Sequence, residues 1–458
     1  MAKKPKQDDM SNKAGITEKL SMDKIVDKIN KTYGPGTIAR AACARALSVP
    51  RLETGVFTVD YVCGGGFPIG RISGIFGLKS AGKTLVALKT VASSQKYCRK
   101  HLIKMKETKE RLYRCLECGF QGDKAGKQCP DCAEAGFESS LMDTGDFQLE
   151  CPECHKYNPM ETVWLDAEGA WENYWAAKLG VNCHYMYVIR TEYAEQAVDI
   201  SDTILRSGKC DLLVVDTLAH LIPSTEISES SEKWQIGLQA RLINKMMRKL
   251  TSAQNAEGLD TDNRPTILLL NQVRMKVGVL WGNPETKPGG MGQEFATSID
   301  LRMWPGKYTQ DKAGNTLSMI TNVRCTKNKV SPAQMSGNFR LWLRDYAGHA
   351  AGDTEDKAVV LGQAVKYSLF GNSQDGWKYK EKEFGSRKDA IKYFLHDRDA
   401  YEELRTFLFT TMLGTIACDE DTLKIEEDDD VEIGTSDSVV PVNDDELVES
   451  VDVEEAQE

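Results

Sequence analysis

The chain has 458 residues, of which 41% are hydrophobic and 28% are charged. These values are typical of a soluble globular protein with two or three domains. No apolar run approaches the roughly 18 residues that a membrane-spanning helix requires, and the N-terminus lacks the apolar stretch of a secretory signal. We therefore expect a cytoplasmic protein with no membrane partner.

The formal net charge of −10 is distributed unevenly along the chain. Residues 419–458 contain 18 acidic residues and one basic residue, so this tail carries −17 and the other 418 residues carry +7. A mildly basic body with an acidic tail suits a protein that binds nucleic acid and has an internal competitor for the same surface. A tail that only improves solubility explains the charge equally well, and in both cases its composition predicts disorder.

The first predicted element is a short helix near the N-terminus. Ile25, Val26 and Ile29 recur at helical spacing between Met22 and Lys31, and the Gly34-Pro35-Gly36 sequence ends the segment. Beyond this helix the pattern changes to that of an α/β protein. The sequence predicts an N-terminal region (1–50), an α/β core (51–345), a Cys-bearing segment within that core (100–160), a small domain (346–418) and a disordered tail (419–458).

A phosphate-binding loop is the strongest motif in the chain. The sequence G-L-K-S-A-G-K-T fits the pattern G-x-x-x-x-G-K-[ST], and it lies between an apolar strand (72–76) and a helical stretch (85–95). In this context backbone N–H groups and a helix N-terminus can surround a triphosphate. Lys83 would reach the β- and γ-phosphates, and Thr84 would bind Mg²⁺. The predicted nucleotide-binding residues are Gly77, Leu78, Lys79, Ser80, Ala81, Gly82, Lys83 and Thr84.

Six of the 13 cysteines form three C-x-x-C pairs in the segment 100–160. The first two pairs are ten residues apart, which is the spacing of a zinc ribbon with four thiolates around tetrahedral Zn²⁺. The third pair could replace the second, could be completed by His101 or His155, or could be a redox-sensitive or structural thiol pair. The predicted zinc ligands are Cys115, Cys118, Cys129, Cys132, Cys151 and Cys154.

The other cysteines are interpreted as small apolar residues: Cys43, Cys63, Cys98, Cys183, Cys210, Cys325 and Cys418. Because a segment of about 60 residues has little core of its own, we expect the metal to supply much of its folding free energy. Removing zinc should then unfold the segment and leave ATP binding intact.

Two predicted strands end in acidic residues. The run 212–216 is apolar up to Asp216, which lies where open α/β sheets bind ligands, and it predicts a second contact to Mg²⁺. The run 163–168 ends at Glu168, whose carboxylate could activate a water molecule or could be an ordinary exposed acid.

A basic helix and a glycine-rich stretch surround the third apolar strand, at 266–271. The helix covers residues 237–250, and the glycine-rich stretch at 277–292 follows Gln272. Basic residues interleaved with flat or apolar ones suit contact with single-stranded nucleic acid, although a mobile active-site lid would look similar. The residues concerned are Arg241, Lys245, Arg248, Lys249, Arg274, Met275, Lys276, Trp281, Lys287 and Met291.

From about residue 20 to 415, these segments resemble the bacterial RecA recombinase family. The resemblance is carried by 52–84, by the Asp166-Ala167-Glu168 sequence, by 211–217, and by the specific run N-Q-V-R-M-K-V-G-V-L-W-G-N-P-E-T-K-P-G-G from Asn271 to Gly290. The segments 327–329, 359–362 and 377–380 also match. The phosphate loop departs from the family at Leu78 and Lys79, where proline and an acid are usual.

The resemblance implies an α/β fold: a RecA-type P-loop ATPase core with a central, mostly parallel sheet, an N-terminal helix, an inserted zinc ribbon and a small α+β C-terminal domain. It also implies ATP and Mg²⁺ as cofactors, with zinc in the insertion. The implied catalytic residues are Lys83, Glu168, Gln272, Lys327 and Lys329. Asp216 would bind Mg²⁺, and Glu172 and Trp175 would contact the adenine base.

The implied function is an ATP-dependent DNA recombinase that forms filaments on single-stranded DNA and pairs it with double-stranded DNA in recombination and repair. The first DNA loop would span about 226–237 and the second 274–291. The implied DNA-binding residues are Arg241, Asn244, Arg248, Arg274, Met275, Lys276, Thr286, Gly289, Gly290 and Met291. A ring helicase and a non-hydrolysing filament scaffold remain alternatives, and the source could be a bacterium or a phage-infected host.

Overall fold

The computed structural model describes residues 22–33, 38, 49–228, 237–255, 264–275, 285–290, 292–372 and 376–414. The chain divides into two compact units, residues 1–49 and residues 50–458. In the first unit, helix α1 covers Met22–Tyr33, which confirms the helix expected there. The amide of Asn30 exchanges two hydrogen bonds of 3.0 Å with the backbone of Ile38. The acidic tail lies outside the described residues.

The second unit begins with the nucleotide-binding half of the core and the insertion. Its elements, in chain order, are β1 (Arg51–Leu52), α2 (Phe57–Cys63), β2 (Phe67–Pro68), β3 (Ile72–Gly77), α3 (Lys83–Ser94), β4 (Lys106–Cys115), β5 (Gln121–Gly122), α4 (Pro130–Glu134) and β6 (Leu141–Glu150). The next elements are β7 (Thr162–Asp166), α5 (Asn173–Lys178), β8 (Met186–Ile189), α6 (Ala194–Arg206) and β9 (Leu212–Asp216).

The remaining elements complete the sheet and form the C-terminal region. They are α7 (Ser224–Ser228), α8 (Leu238–Gln254), β10 (Thr266–Gln272), β11 (Arg274–Met275), β12 (Glu285–Thr286), α9 (Gly292–Ala296), β13 (Ile299–Gln310), β14 (Thr316–Asn328), β15 (Ser336–Trp342) and β16 (Thr354–Glu355). The C-terminal region contains α10 (Lys357–Lys366), β17 (Gly371–Asn372), β18 (Gly376–Tyr379), β19 (Lys382–Phe384), α11 (Arg387–His396) and α12 (Arg398–Gly414).

A nine-stranded sheet forms the centre of the molecule, in the order β16-β15-β14-β13-β3-β10-β9-β7-β8. The strands from β13 to β8 pair in parallel, and β14, β15 and β16 are added antiparallel at one side. This arrangement confirms the α/β fold with a central, mostly parallel sheet. None of the described helices is long and apolar enough to cross a membrane.

The central strands are continuously apolar because both of their faces are covered. In β9, Leu212 and Val214 pack into one hydrophobic core with α2 and α3, whereas Leu213 and Val215 pack into a second core with α6 and α8. Strand β10 alternates in the same way. Polar side chains on these strands therefore emerge only at the strand ends.

The insertion has its own small sheet, in the order β5-β4-β6, and is entered after α3 and left before β7. The C-terminal region also has a small core, which includes Phe370, Phe394 and Leu404, while Val360 and Tyr401 pack into the main core. Its helices and three-stranded sheet agree with the expected α+β character.

Replacing Leu213 by alanine should destabilise the protein strongly, because this side chain is fully buried in β9. We expect a loss of about 2–5 kcal/mol in the free energy of unfolding, measured by urea titration. The matched control is Leu343→Ala, since this leucine is 39% exposed and should cost about 1 kcal/mol or less. Equal losses in the two variants would contradict the assignment of β9 to the buried centre of the sheet.

Candidate active site

The phosphate loop follows β3 and begins with a glycine that no other residue could replace. A Cβ atom on Gly77 would lie 1.8 Å from the backbone oxygen of Met303. Gly82 takes a left-handed conformation, with φ of 83°, immediately before α3. The loop and the helix therefore meet as the sequence predicted, and α3 begins at Lys83.

Lys83 lies almost completely inside this loop. Its ammonium group donates hydrogen bonds to the backbone oxygens of Leu78 at 2.6 Å and Gly77 at 3.3 Å. Burial lowers the pKa of Lys83. The charge is thus held in a weakly hydrated place, where a phosphate group would interact with it more strongly than in water.

Asp216 and Thr84 form an oxygen-rich pair beside the loop. The Thr84 hydroxyl donates to Oδ2 of Asp216 at 3.0 Å, while Oδ1 of Asp216 is buried and has no hydrogen-bond partner among the described residues. Burial, and then repulsion from Glu168, raise the pKa of Asp216 to about 7. An unsatisfied carboxylate oxygen next to a hydroxyl is the kind of ligand set that Mg²⁺ prefers, so these residues fit the ion.

Glu168 lies two residues beyond the end of β7 and contacts the neighbouring strand ends. Its Oε1 accepts a hydrogen bond from Gln272 Nε2 at 3.0 Å and lies 3.1 Å from Nδ1 of His220. Sequence reasoning missed His220, which lies in a 3₁₀ turn (Leu218–His220) just after β9. Its only sequence signal was its position after the strand that ends in Asp216.

The base of the second loop is tied to the same strand ends. The amide of Asn271 donates to the backbone oxygen of Pro288 at 3.0 Å and to Gln293 at 2.8 Å. Lys287 pairs with Asp300 at 2.9 Å and lies over the ring of Phe76. A bidentate pair between Arg302 and Glu285 adds a further tie. The Lys287–Asp300 and Arg302–Glu285 pairs line a cavity of about 560 Å³, and neither pair was predicted from the sequence.

Helix α8 lies against the same loop base. Gly289 packs so closely on this helix that a Cβ atom at its position would lie 2.6 Å from the Ile243 side chain. A Cβ atom at Gly290 would lie 3.7 Å from the Asn244 side chain. Arg241 and Arg248 are exposed on this helix, and Arg274 is exposed on β11. Of the other expected DNA-binding residues, Thr286 is half-buried in β12 and Met275 is described by its backbone alone. Lys276, Met291 and residues 229–236 of the first loop lie outside the described residues.

The two lysines in the second half of the core that the resemblance implies to be catalytic, Lys327 and Lys329, are bound to carbonyl groups at the end of α9. Lys327 Nζ donates to the oxygens of Glu294 and Thr297, the latter at 2.7 Å, and Lys329 Nζ donates to Phe295 at 3.2 Å. The Phe295 side chain beside them is 72% exposed. Within one protomer the structure therefore does not bring these lysines to the phosphate loop.

The two residues expected to contact adenine lie at the start of α5. Glu172 caps this helix and accepts hydrogen bonds from the backbone N–H groups of Tyr174 and Trp175. The ring of Trp175 is half-buried against the core, and an ideal Cβ on Gly352 would lie 3.2 Å from it.

The cysteines of the insertion gather into two separate groups. In the ribbon cluster, Sγ of Cys115 lies 3.6 Å from that of Cys132, and Sγ of Cys118 lies 3.6 Å from that of Cys129. Cys151 and Cys154 instead lie beside Cys98 and His101, in a group that we call the base cluster. Cys98, interpreted from the sequence as a small apolar residue, is buried and also lies within reach of three possible metal ligands. His155 is outside this group, with Nδ1 at 2.9 Å from Glu150.

Comparison with known proteins agrees with this geometry. The family described as RecA N-terminal domain matches residues 20–115 and 134–345, which is well over half of the chain. The chain belongs to the RecA family. It is 28% identical over 399 residues to the RecA protein of Bacteroides thetaiotaomicron, covering 86% of this chain and 98% of that protein.

Other RecA proteins match over a similar length. The RecA protein of Bdellovibrio bacteriovorus is 29% identical over 86% of this chain and 85% of its own, and that of Aquifex pyrophilus is 28% identical over 85% and 91%. Residues 116–133, which the RecA family match omits, include part of the ribbon cluster. Family membership confirms the activity implied by the resemblance: the chain is an ATP-dependent DNA recombinase and a DNA-dependent ATPase.

Replacing Gly77 by alanine should abolish tight nucleotide binding, because the added Cβ would overlap the Met303 backbone oxygen and displace the loop. We expect the Kd for ATP to rise by more than about tenfold, or 1.4 kcal/mol, in a calorimetric titration. Gly362→Ala is the matched control, because this glycine lies in α10 with open space around its Cβ position. Wild-type affinity in Gly77→Ala would refute the close approach described above.

Proposed function

We propose that the strand ends around the phosphate loop form the ATP-hydrolysing centre of a filament-forming recombinase. The observation that carries this proposal is the hydrogen bond between Gln272 and Glu168, since it joins the hydrolytic carboxylate to the strand that leads into the second DNA loop. On the strand between these two residues, Asp216 accepts a hydrogen bond from the hydroxyl of Thr84.

The nucleotide would be held by residues whose groups are already oriented. The phosphate loop from Gly77 to Thr84 would surround the phosphates with backbone N–H groups, and Lys83 would bind their charge. Thr84 and Asp216 would hold Mg²⁺ through oxygen atoms. When bound, MgATP supplies the phosphoryl group that is transferred. Glu168 would orient the attacking water and accept its proton.

Gln272 would couple the state of the bound nucleotide to the position of the second DNA loop. Its neighbour Asn271 holds Pro288, so a shift of Gln272 towards a γ-phosphate would move the base of the second loop. Asn244 links this base to α8, whose exposed arginines Arg241 and Arg248 would contact the DNA backbone. Arg274, Thr286 and the glycines 289 and 290 would belong to the same surface.

Filament formation would complete the site. Lys327 and Lys329 lie on the surface beside Phe295, and we infer that they leave the carbonyl groups of α9 to reach ATP on a neighbouring protomer. An exposed phenylalanine next to two cations suits such an interface between copies of the chain. The helix α1 would bind the adjacent protomer, and Glu172 and Trp175 would contact adenine.

The ribbon cluster would hold a structural Zn²⁺. Its four thiol groups are buried, and their spacing fits tetrahedral coordination. This part of the insertion is docked on the core, because the N–H of Cys183 donates to the Cys118 oxygen at 2.9 Å and His184 lies 3.0 Å from Asp131. The ribbon would thus present a fixed surface to DNA or to a protein partner on the outside of a filament.

The decisive experiment is ATP hydrolysis with and without single-stranded DNA, with Lys83→Ala as the blank. We expect strong stimulation by DNA that this variant loses, followed by pairing and strand exchange with a homologous duplex. ATP-dependent binding of DNA without turnover would favour the filament scaffold. Unwinding of duplex DNA without pairing would favour the ring helicase, and no effect of DNA would overturn the recombinase mechanism.

Glu168→Gln should separate hydrolysis from binding. The amide keeps the shape of the side chain but cannot accept the proton from water, so we expect kcat to fall about 10²–10⁴-fold while ATP binding persists. The control is Glu192→Gln, because Glu192 is exposed outside the site. This variant should hydrolyse ATP at the wild-type rate. Normal turnover in Glu168→Gln would assign the water-activating role to another residue.

A further inference from the structure

We infer that the base cluster of Cys98, His101, Cys151 and Cys154 is a second, independent zinc site with three thiolates and one imidazole. Its four ligand atoms lie within 4.8 Å of one another. Cys98 and Cys151 are buried, and His101 and Cys154 are partly exposed. The inference does not depend on the recombinase mechanism, because it stands on the positions of these four side chains.

The distances between the ligand atoms are those of a tetrahedral zinc site. Thiolates at 2.3 Å from Zn²⁺ lie about 3.8 Å apart, and a thiolate and an imidazole nitrogen lie about 3.5 Å apart. In the base cluster, the Sγ atoms of Cys98 and Cys154 are 3.8 Å apart. Nδ1 of His101 lies 3.3 Å from Sγ of Cys151 and 3.7 Å from Sγ of Cys98. These three distances, with all four ligand atoms within 4.8 Å of one another, suit a divalent ion of the zinc class.

The base cluster consists of two short turns, one from Cys98 to His101 and one from Cys151 to Cys154. Both turns have the same backbone hydrogen bonds as the C-x-x-C turn that begins at Cys115 in the ribbon cluster, a turn called a zinc knuckle. The N–H of Cys115 donates a hydrogen bond to the backbone oxygen of Phe120, five residues later, and the N–H of Gly119 donates to the backbone oxygen of Cys115. The same two bonds occur at Cys151, with Lys156 and His155, and at Cys98, with Ile103 and Leu102.

The backbone angles agree with the hydrogen bonds. The residue four positions after the first cysteine is left-handed in all three turns, with φ of 75° at Gly119, 52° at His155 and 56° at Leu102. Non-glycine residues rarely adopt this conformation. Cys98-x-x-His101 is therefore a knuckle in which histidine replaces the second cysteine.

This site would cross-link the two chain segments that connect the insertion to the ATPase core. Cys98 comes four residues after the end of α3, the helix of the phosphate loop, and Cys154 lies before β7, which leads to Glu168. The two segments already meet where Cys98 pairs with Pro159 and where Arg99 binds Glu161 at 2.9 Å. Metal in the base cluster would hold the end of α3 and the start of β7 at a fixed distance.

The test is the zinc content of the full-length protein purified without added chelator, measured by elemental analysis. We expect two zinc ions per chain in the wild type and one in Cys98→Ser, His101→Ala or Cys118→Ser. The Cys98→Ser/Cys118→Ser double variant should contain none. The matched control is Cys210→Ser, since Cys210 is buried outside both clusters and its loss should leave two ions. One zinc ion per chain in the wild type would overturn the second site. So would two zinc ions per chain in each of the variants Cys98→Ser and His101→Ala.

Cobalt substitution identifies the ligands without relying on any one variant folding well. Co²⁺ in Cys118→Ser should show tetrahedral ligand-field bands and a charge-transfer intensity for three thiolates, whereas Co²⁺ in His101→Ala should report four thiolates. An octahedral spectrum in Cys118→Ser would mean that the base cluster does not bind metal. Thermal unfolding tests the cross-link: Cys98→Ser should melt below Cys118→Ser, and the reverse order would refute a role in stabilising the core.

Discussion

The parallel pairing of four central strands determines where the chemistry of this protein takes place. Backbone pairing puts Gln272 beside Gly77 and Asp166 beside Asp216 at one edge of the sheet. Because these strands are apolar on both faces, their functional groups are restricted to that edge. The phosphate loop, the proposed Mg²⁺ ligands and the proposed hydrolytic carboxylate are therefore brought together by the register of the strands rather than by the loops that carry them.

The same edge concentrates negative charge, and this explains much of the local architecture. Asp216 and Glu168 repel each other, so burial and this repulsion leave Asp216 with a raised pKa. Lys83 is a nearby buried cation, and its ammonium group is held by hydrogen bonds to two backbone oxygens of the phosphate loop. Binding Mg²⁺ and phosphate here would balance the two kinds of charge. The hydrogen bond from Gln272 to Glu168 would then respond to whichever phosphate is present.

In the insertion, the proposed metal sites would stabilise a segment that has little core. It leaves the ATPase core after α3 and returns before β7, so it lengthens a connection that the sheet does not depend on. The ribbon cluster could be predicted from the spacing of Cys115, Cys118, Cys129 and Cys132. For the base cluster, the sequence indicated Cys151, Cys154 and the alternative of His101, but not Cys98, which reads as a single cysteine. The knuckle geometry of this cluster exists only in the folded backbone.

The sequence by itself determined the family, the phosphate loop and the strands that end in Asp216 and near Glu168, because these are local patterns in which a few neighbouring residues suffice. It also predicted the second DNA loop through one specific run of residues. Only the tertiary structure decided that Glu168 contacts Gln272 and His220, that Lys287 is held by Asp300, and that Cys98 and His101 join the third cysteine pair. The physical reason is that these contacts join residues far apart in the chain. The distances between such residues depend on how whole strands and the connections between them pack together.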